Sequence, residues 1–330
     1  MQHDRFQAYA GALVADALAM PVHWYYDRAA LDRDYGRLEG YLAPKNPHPD
    51  SILWRSRYSP PTPDADILHE QAAYWGQPGV HYHQFLAAGE NTLNFQLARL
   101  LYRQVTAAGR YDADAWLSAY IDFMRTPGRH RDTYVEECHR GFFTRLVEGI
   151  PPRLCGIEDQ HIGGLASVPA LFAALPEMPL ADLRAIVAVH VALTHRHPRV
   201  LKAADTLVCL LDRMAAGAPL RSAIESHAAD WIATERLTHW SQEDDREVVG
   251  RRLSPACYID KAFPAALHLA WKYHDDFTAG ITANARVGGD NCHRGAVVGS
   301  LLGLALGVPT HWLEGLKDPP ERVPKTPPTP

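Results

Sequence analysis

Residues 288–307 read GGDNCHRGAVVGSLLGLALG, and this stretch decides the fold. Gly295, Gly299, Gly303 and Gly307 stand four apart, a spacing that puts them on one face of a helix. Each glycine costs a helix about 1 kcal/mol against alanine, so a striped helix needs a compensating gain. Close approach of a neighbouring backbone supplies it. The apolar run 296–306 is too short for a bilayer, which takes about 20 residues, so the stripe reads as a packing face. The N-terminal segment carries a matching stripe of Ala8, Gly11, Ala12, Ala15 and Ala19, ended by Pro21. The two stripes predict that the first and last helices pack together. Loops 21–27 and 288–293 then border one cleft.

Most of the chain repeats the helical period. Leu93, Leu97, Leu100 and Leu101 share a face over 93–105, and Trp116, Tyr120 and Phe123 share one over 113–125. Further helices are expected over 132–148 (capped by Asp132 or Thr133), 181–193, 199–216, 219–234 and 260–275. No alternating strand pattern occurs. Residues 40–80 hold seven prolines and read as one long irregular segment, and a loop of that length is usually functional. The expectation is a single large all-α domain over 1–318 and a Pro-rich disordered tail over 319–330.

Composition narrows the function. The chain has 330 residues, 47% hydrophobic, 22% charged, with a net charge of −5. That length and apolar share build a sizeable core and exclude wholesale disorder. A slightly acidic chain lacks the basic patch that nucleic acid requires, so nucleic acid is not expected as the main partner. No window is long and apolar enough for a membrane span, and Asp4 and Arg5 interrupt any secretory leader. Five cysteines without a Cys-x-x-Cys pair predict neither a disulfide framework nor structural zinc. A cytoplasmic location fits.

Four stretches hold residues with chemistry. Gly288-Gly289-Asp290-Asn291 opens a helix. Paired glycines admit a ligand to the backbone, and free N–H groups at a helix start suit an anion; helix capping by Asp290 accounts for the same residues equally well. Gly89-Glu90-Asn91-Thr92 is a second such opening with the same two readings. Residues 20–27 (MPVHWYYD) are dense in aromatics, which suit stacking on a base or sugar or plug a core. Thr194-His195-Arg196-His197-Pro198 lies at a helix–helix turn. His130, His139 and His161 accompany Asp132, Glu136, Glu137 and Asp159, but 18 histidines make chance clusters common, so counting defines no metal site.

In their order along the chain, these pieces resemble the ADP-ribosylglycohydrolase family over roughly residues 5–318. The family's G-D-A-L-G-x-P-x-E looks like residues 15–23, and its G-x-x-T-D-D-T looks like residues 89–95. Its T-H-x-x-P is present at 194–198, its G-G-D-T-D-T looks like 288–293, and its P-x-x-W is present at 309–312. The likeness is closest to the branch containing J-crystallins and selenoprotein J. It implies an orthogonal all-α bundle with a central cleft. It also implies cleavage of the glycosidic bond between ADP-ribose and an acceptor, with two Mg²⁺ ions in the cleft.

The departures decide what carries over. Family metal carboxylates fall on His23, Leu93, Asn94 and Cys292, and a ligating Thr falls on His293; only Thr92 and Asp290 survive. Mg²⁺ demands oxygen ligands, so the binuclear site is expected to be lost. Zn²⁺ on His23, Cys292, His293 and Asp290 is not expected either, because consecutive side chains at a helix start point apart. No metal or cofactor is assigned.

The resemblance then implies two functions. One is a hydrolase of an N- or O-glycosidic bond in an ADP-ribosyl or related nucleotide-sugar conjugate. Asp290, His293 and His23 would be its catalytic groups, Asp290 facing an oxocarbenium-like transition state. Asn91 and Asn94 would hold ribose hydroxyls, the backbone of Gly288, Gly289 and the residues to 293 the diphosphate, and Trp24 or Tyr25 a ring. Thr92, Asn291, Cys292 and His195 complete the expected lining. The partner is an ADP-ribose-like small molecule or an ADP-ribosylated acceptor. The other function is a non-catalytic, nucleotide-binding or crystallin-like descendant with the same pocket.

Overall fold

A computed structural model describes residues 3–322. Ala-rich α1 (Phe6–Ala19) buries every residue but Gln7, and α14 (Asn291–Leu306) is buried from Asn291 to Leu304. A helix apolar all round belongs in a core, and these two form the most extensive helix pair in the molecule. The glycines explain how closely they pack. A Cβ on Gly11 would lie 2.1 Å from the Gly299 carbonyl oxygen, and one on Gly299 would lie 2.2 Å from that of Gly11. A Cβ on Gly303 would lie 2.4 Å from the Gln7 carbonyl oxygen.

The remaining elements wrap this pair. They are α2 (Arg28–Tyr35), α3 (Leu93–Ala108), α4 (Ala113–Arg125), α5 (Glu137–Val147) and α6 (Val168–Ala174). Then come the hairpin α7 (Leu180–Ala192) and α8 (Pro198–Ala215), followed by α9 (Leu220–His227), α10 (Thr234–Trp240), α11 (Asp245–Glu247), α12 (Ile259–Lys272) and α13 (Phe277–Val287). The short α15 (Thr310–Glu314) follows α14. Helices α12 and α13 pack on α14, while α6 packs on α1, α3 and α8. Among the described residues the only β features are two isolated bridges, Ile157 with His195 and His161 with Tyr258. No described helix is long and apolar enough to cross a membrane.

Residues 40–80 are irregular apart from three short 3₁₀ turns. Two expected helices differ. The helix placed at 132–148 starts only at Glu137, with Glu136 as its extended cap. Asp132 does not cap it, because its side chain is buried against His83. The helix placed at 219–234 breaks at Ala228 and resumes at Thr234. The tail expected from 319 lies, from 323 onward, outside the described residues.

The two chain ends do meet. The Trp24 N–H donates to the Gly289 carbonyl at 2.8 Å, and the Gly289 N–H donates to the Tyr25 carbonyl at 2.7 Å. Trp24 takes φ +59°, a left-handed value costly for a bulky residue. Gly289 (φ +65°) must be glycine, since a Cβ there would lie 2.1 Å from the Pro255 carbonyl oxygen.

Gly299→Ala should separate α1 and α14 and lower unfolding stability by about 1–3 kcal/mol, the usual cost of overpacking. Gly40→Ala, with open space around its Cβ, should change it by less than about 0.5 kcal/mol. Urea denaturation of both variants measures the contrast.

Candidate functional site

The 3₁₀ turn Met20–Val22 after α1 delivers His23, and the first turn of α14 delivers Asp290 and His293. His23 Nε2 lies 2.9 Å and His293 Nδ1 2.7 Å from the same atom, Asp290 Oδ1. Asp290 therefore does not cap α14 with its side chain, the role that its position suggests. His23 Nδ1 meets His83 Nε2 at 2.7 Å, and His83 Nδ1 contacts Asp132 Oδ1. On the other side His293 Nε2 lies 2.8 Å from Asn94 Nδ2 and 3.5 Å from Glu136 Oε2. Asn94, at the start of α3, donates to Glu136 at 2.5 Å, and its Oδ1 accepts from His139 Nε2 at 2.7 Å. His139 Nδ1 contacts the Tyr120 hydroxyl at 2.7 Å. A continuous buried chain thus runs from Asp132 through His83, His23, Asp290 and His293 to Glu136, with a branch to Tyr120.

Counting protons shows how this chain behaves. The four contacts from Asp132 to His293 need one proton each. Three neutral imidazoles bring three, so the chain holds an extra proton or leaves two acceptors facing each other. Burial would raise the Asp290 carboxyl, but the His293 charge and hydrogen bonds from both histidines outweigh it and hold it far below the usual range. Burial opposes charge on His293, yet Asp290 and Glu136 lift it to about 10. Burial pushes His23 and His83 down to about 3 and raises Asp132 to about 7. Burial also raises Glu136. One assignment agrees with these shifts. Protonated Asp132 donates to His83, His83 to His23 and His23 to Asp290, while imidazolium His293 donates to Asp290 and turns its Nε2–H toward Glu136, which sets that N–H against the Asn94 amide donor at 2.8 Å. When Asp132 ionises, His83 donates to it instead, His23 turns its proton toward His83, and Asp290 loses a donor.

Two chambers adjoin the chain. The smaller, about 20 Å³, touches His23, His83, Asn94, Asp132, Glu136 and His293. That is room for one water, which needs roughly 10–15 Å³. The larger, about 400 Å³, is walled by Trp24, Tyr82, Tyr134, Glu136, His161 and Tyr258 among others. Trp24, Tyr134 and Glu136 belong to both. Trp24 stacks on His23 at 3.8 Å and meets Tyr82 and Tyr134 edge-on.

The structure brings together His23, Trp24, Thr92, Asn94 and His293 around these chambers. Asp290 is fully buried one layer behind, bonded to His23 and His293, and lines neither chamber. The other expected residues, and the polar groups of Thr92, are spent inside the fold. Asn91 donates to Asp16 and to the Leu13 carbonyl, and the Thr92 hydroxyl and N–H donate to Asp16. Asn291 donates to the carbonyls of Val22 and Ala285, and the Cys292 thiol lies 3.7 Å from the Asp16 carbonyl. Tyr25 is fully buried against His48. The backbone N–H groups of Gly288, Gly289, Asp290 and Asn291 all donate to protein carbonyls, so none of these four is free for a phosphate. His195, buried beside Thr194, borders a separate pocket of about 50 Å³ under His139.

Sequence reasoning missed His83 and set Glu136, Asp132 and His139 aside as a chance cluster. The pair His81-x-His83 in an otherwise irregular stretch was the available signal.

The family model for ADP-ribosylglycohydrolase matches residues 2–326. A solved structure described as an ADP-ribosylglycohydrolase-related protein complex has a TM-score of 0.59 at 21% identity, covering 96% of this chain and 92% of its own. A search of curated proteins returned no match. An all-α fold of the ADP-ribosylglycohydrolase type is thereby defined. The chain belongs to the ADP-ribosylglycohydrolase family.

Seven buried histidines are kept neutral by burial: His23, His83, His139 and His190 are pushed down to about 3, and His48, His195 and His268 to about 4. Unfolded, each takes a proton below about 6.5. Stability present above pH 6.5 is therefore lost on acidification toward pH 4. Asp16, raised by burial to about 6, Asp132, Glu136 and the two histidines held charged by carboxylates, His161 and His293, act oppositely but are fewer. Scanning calorimetry should show the unfolding temperature dropping from pH 7 to pH 5; a constant or rising value would contradict this account.

Proposed function

We propose that this protein hydrolyses the glycosidic bond of a ribosyl conjugate, of the ADP-ribosyl or a related nucleotide-sugar class, without the family's Mg²⁺ pair. One observation carries the reading: among the described residues, Glu136 is the carboxylate that borders both the one-water chamber and the ligand-sized chamber. A water beside Glu136 attacks the anomeric carbon of a sugar in the larger chamber. Its oxygen bonds to that carbon, Glu136 takes its proton, and the bond to the leaving atom breaks with the electron pair going to that atom. His293, held by Asp290, orients Glu136. Asp290 is thus a positioning residue.

The donor set supports the loss of Mg²⁺. At the family's ligand positions stand two imidazoles, a leucine, an amide and a thiol turned toward Asp16. The surviving Thr92 hydroxyl donates to Asp16, and Asp290 Oδ1 already accepts from two imidazoles. That set does not fit a pair of hard cations. Isothermal titration with Mg²⁺ should give no binding heat.

A panel of ADP-ribosylated peptides, NAD and simpler ribosides, scored for release, tests the activity. Glu136→Gln should lower release at least about 100-fold, the scale of general base catalysis, and Asp290→Asn by less. The alternative, a non-catalytic descendant, draws on the chain from Asp132 to Tyr120, in which the side chains already bond one another and only the buried Asp132 Oδ2 and Asp290 Oδ2 lack a partner. It predicts binding without release.

Asp132 gives the reading a pH signature. It faces His83, His130, Glu90, Arg131 and the Leu93 N–H. Activity should fall as pH rises through about 7, because ionised Asp132 draws the relay protons away from Asp290. Asp132→Asn can still donate to His83 and should remove that alkaline limb; an unchanged profile would separate Asp132 from the site.

A further inference from the structure

The larger chamber tells which ribosyl compound it takes. A diphosphate needs cations or free N–H groups, and the chamber offers few. The N–H groups of residues 288–291 are consumed by the fold. Of the two cations on the wall, His161 is already matched by Asp159 at 2.9 Å, which leaves Arg55. Against it stand three carboxylates, Asp50, Glu136 and Glu137. Asp50 accepts the N–H groups of Tyr26 and Asp27, and Glu137 stands exposed at the start of α5. Apart from Ile52 and Cys257, the rest of the wall is aromatic. Trp24, Tyr82 and Tyr134 pack mutually edge-on, with ring centroids 4.7, 5.1 and 5.4 Å apart. Tyr26 and Tyr258 are 45% and 52% exposed. Aromatic walls with carboxylates recognise a flat cation.

We infer that the chamber takes an N-ribosyl pyridinium, a cationic planar heterocycle on a single sugar with no diphosphate. The inference rests on the hydrolase reading for the cleavage step alone. The chemistry agrees with a site lacking Mg²⁺. The pyridinium nitrogen leaves with the electron pair of its bond to the anomeric carbon and becomes neutral, so it needs no proton. Water supplies the new carbon–oxygen bond and gives one proton to Glu136, from which it passes to bulk solvent. The products are the free sugar, the neutral heterocycle and one proton. A volume of about 400 Å³ lies at the small end of ligand pockets, which run from roughly 300 to 1,000 Å³.

The test compares nicotinamide riboside with ADP-ribose, NAD and an ADP-ribosylated peptide, measuring binding by calorimetry and release by chromatography. Nicotinamide riboside should bind at least tenfold more tightly than ADP-ribose, and Trp24→Ala should weaken it at least tenfold. Because Trp24 sits in a strained turn, the exposed Glu137→Lys is the second variant; it should weaken the riboside and strengthen ADP-ribose. ADP-ribose binding as tightly as the riboside, or no riboside binding, overturns the inference. Release from the ADP-ribosylated peptide would in that case leave the hydrolase reading standing. Riboside bound but never cleaved supports the pocket assignment and sinks the hydrolase reading instead.

Discussion

The contact between the backbones of Gly11 and Gly299 is the constraint on which the molecule depends. Neither position has room for a Cβ, and that intimacy sets the depth at which α1 lies against α14. The site is built on the ends of these same two helices. His23 leaves one, Asp290 and His293 open the other, and both histidines reach the same carboxylate oxygen. A shift of about an ångström between the helices would break both hydrogen bonds, since such bonds weaken steeply with geometry. Packing and site geometry are one feature here.

The second constraint is burial. A carboxylate as enclosed as Asp290 survives as an anion only because imidazoles surround it. The same enclosure keeps His23 and His83 neutral and raises Asp132. The groups therefore sit on opposite sides of their ordinary titration ranges, and small changes at one end of the chain are felt at the other. A line of exchangeable protons thus runs through the centre of the site.

Much of the fold was legible because it is periodic. Glycines four apart need no structure to be read as a helix face, and the leucines of 93–105 behave likewise. The meeting of loops 21–27 and 288–293 followed from that stripe. The site was less legible because its members obey no period. Asp290 occupies a position where capping and catalysis use the same residue type, and capping does not describe it: its side chain leaves the helix N–H groups and serves two histidines. His83 and Asp132 come from irregular segments, and only tertiary folding brings them within reach of His23. Asn91 and Asn291 are asparagines in glycine-led loops, a pattern shared by ligand-binding turns and by asparagines that bond carbonyls inside a core. Burial separates these cases, and burial is not written locally.

The pairing of the first helix with the last also orders events at the ribosome. Helix α1 emerges early, apolar on every side, and its partner is translated about 290 residues later. At roughly 5–20 residues per second that interval lasts on the order of 15 to 60 s. Throughout it, a segment bound for the centre of the protein has no permanent cover. The nascent chain must therefore shelter α1 in provisional contacts or on a chaperone, and the native core closes only when synthesis is nearly complete.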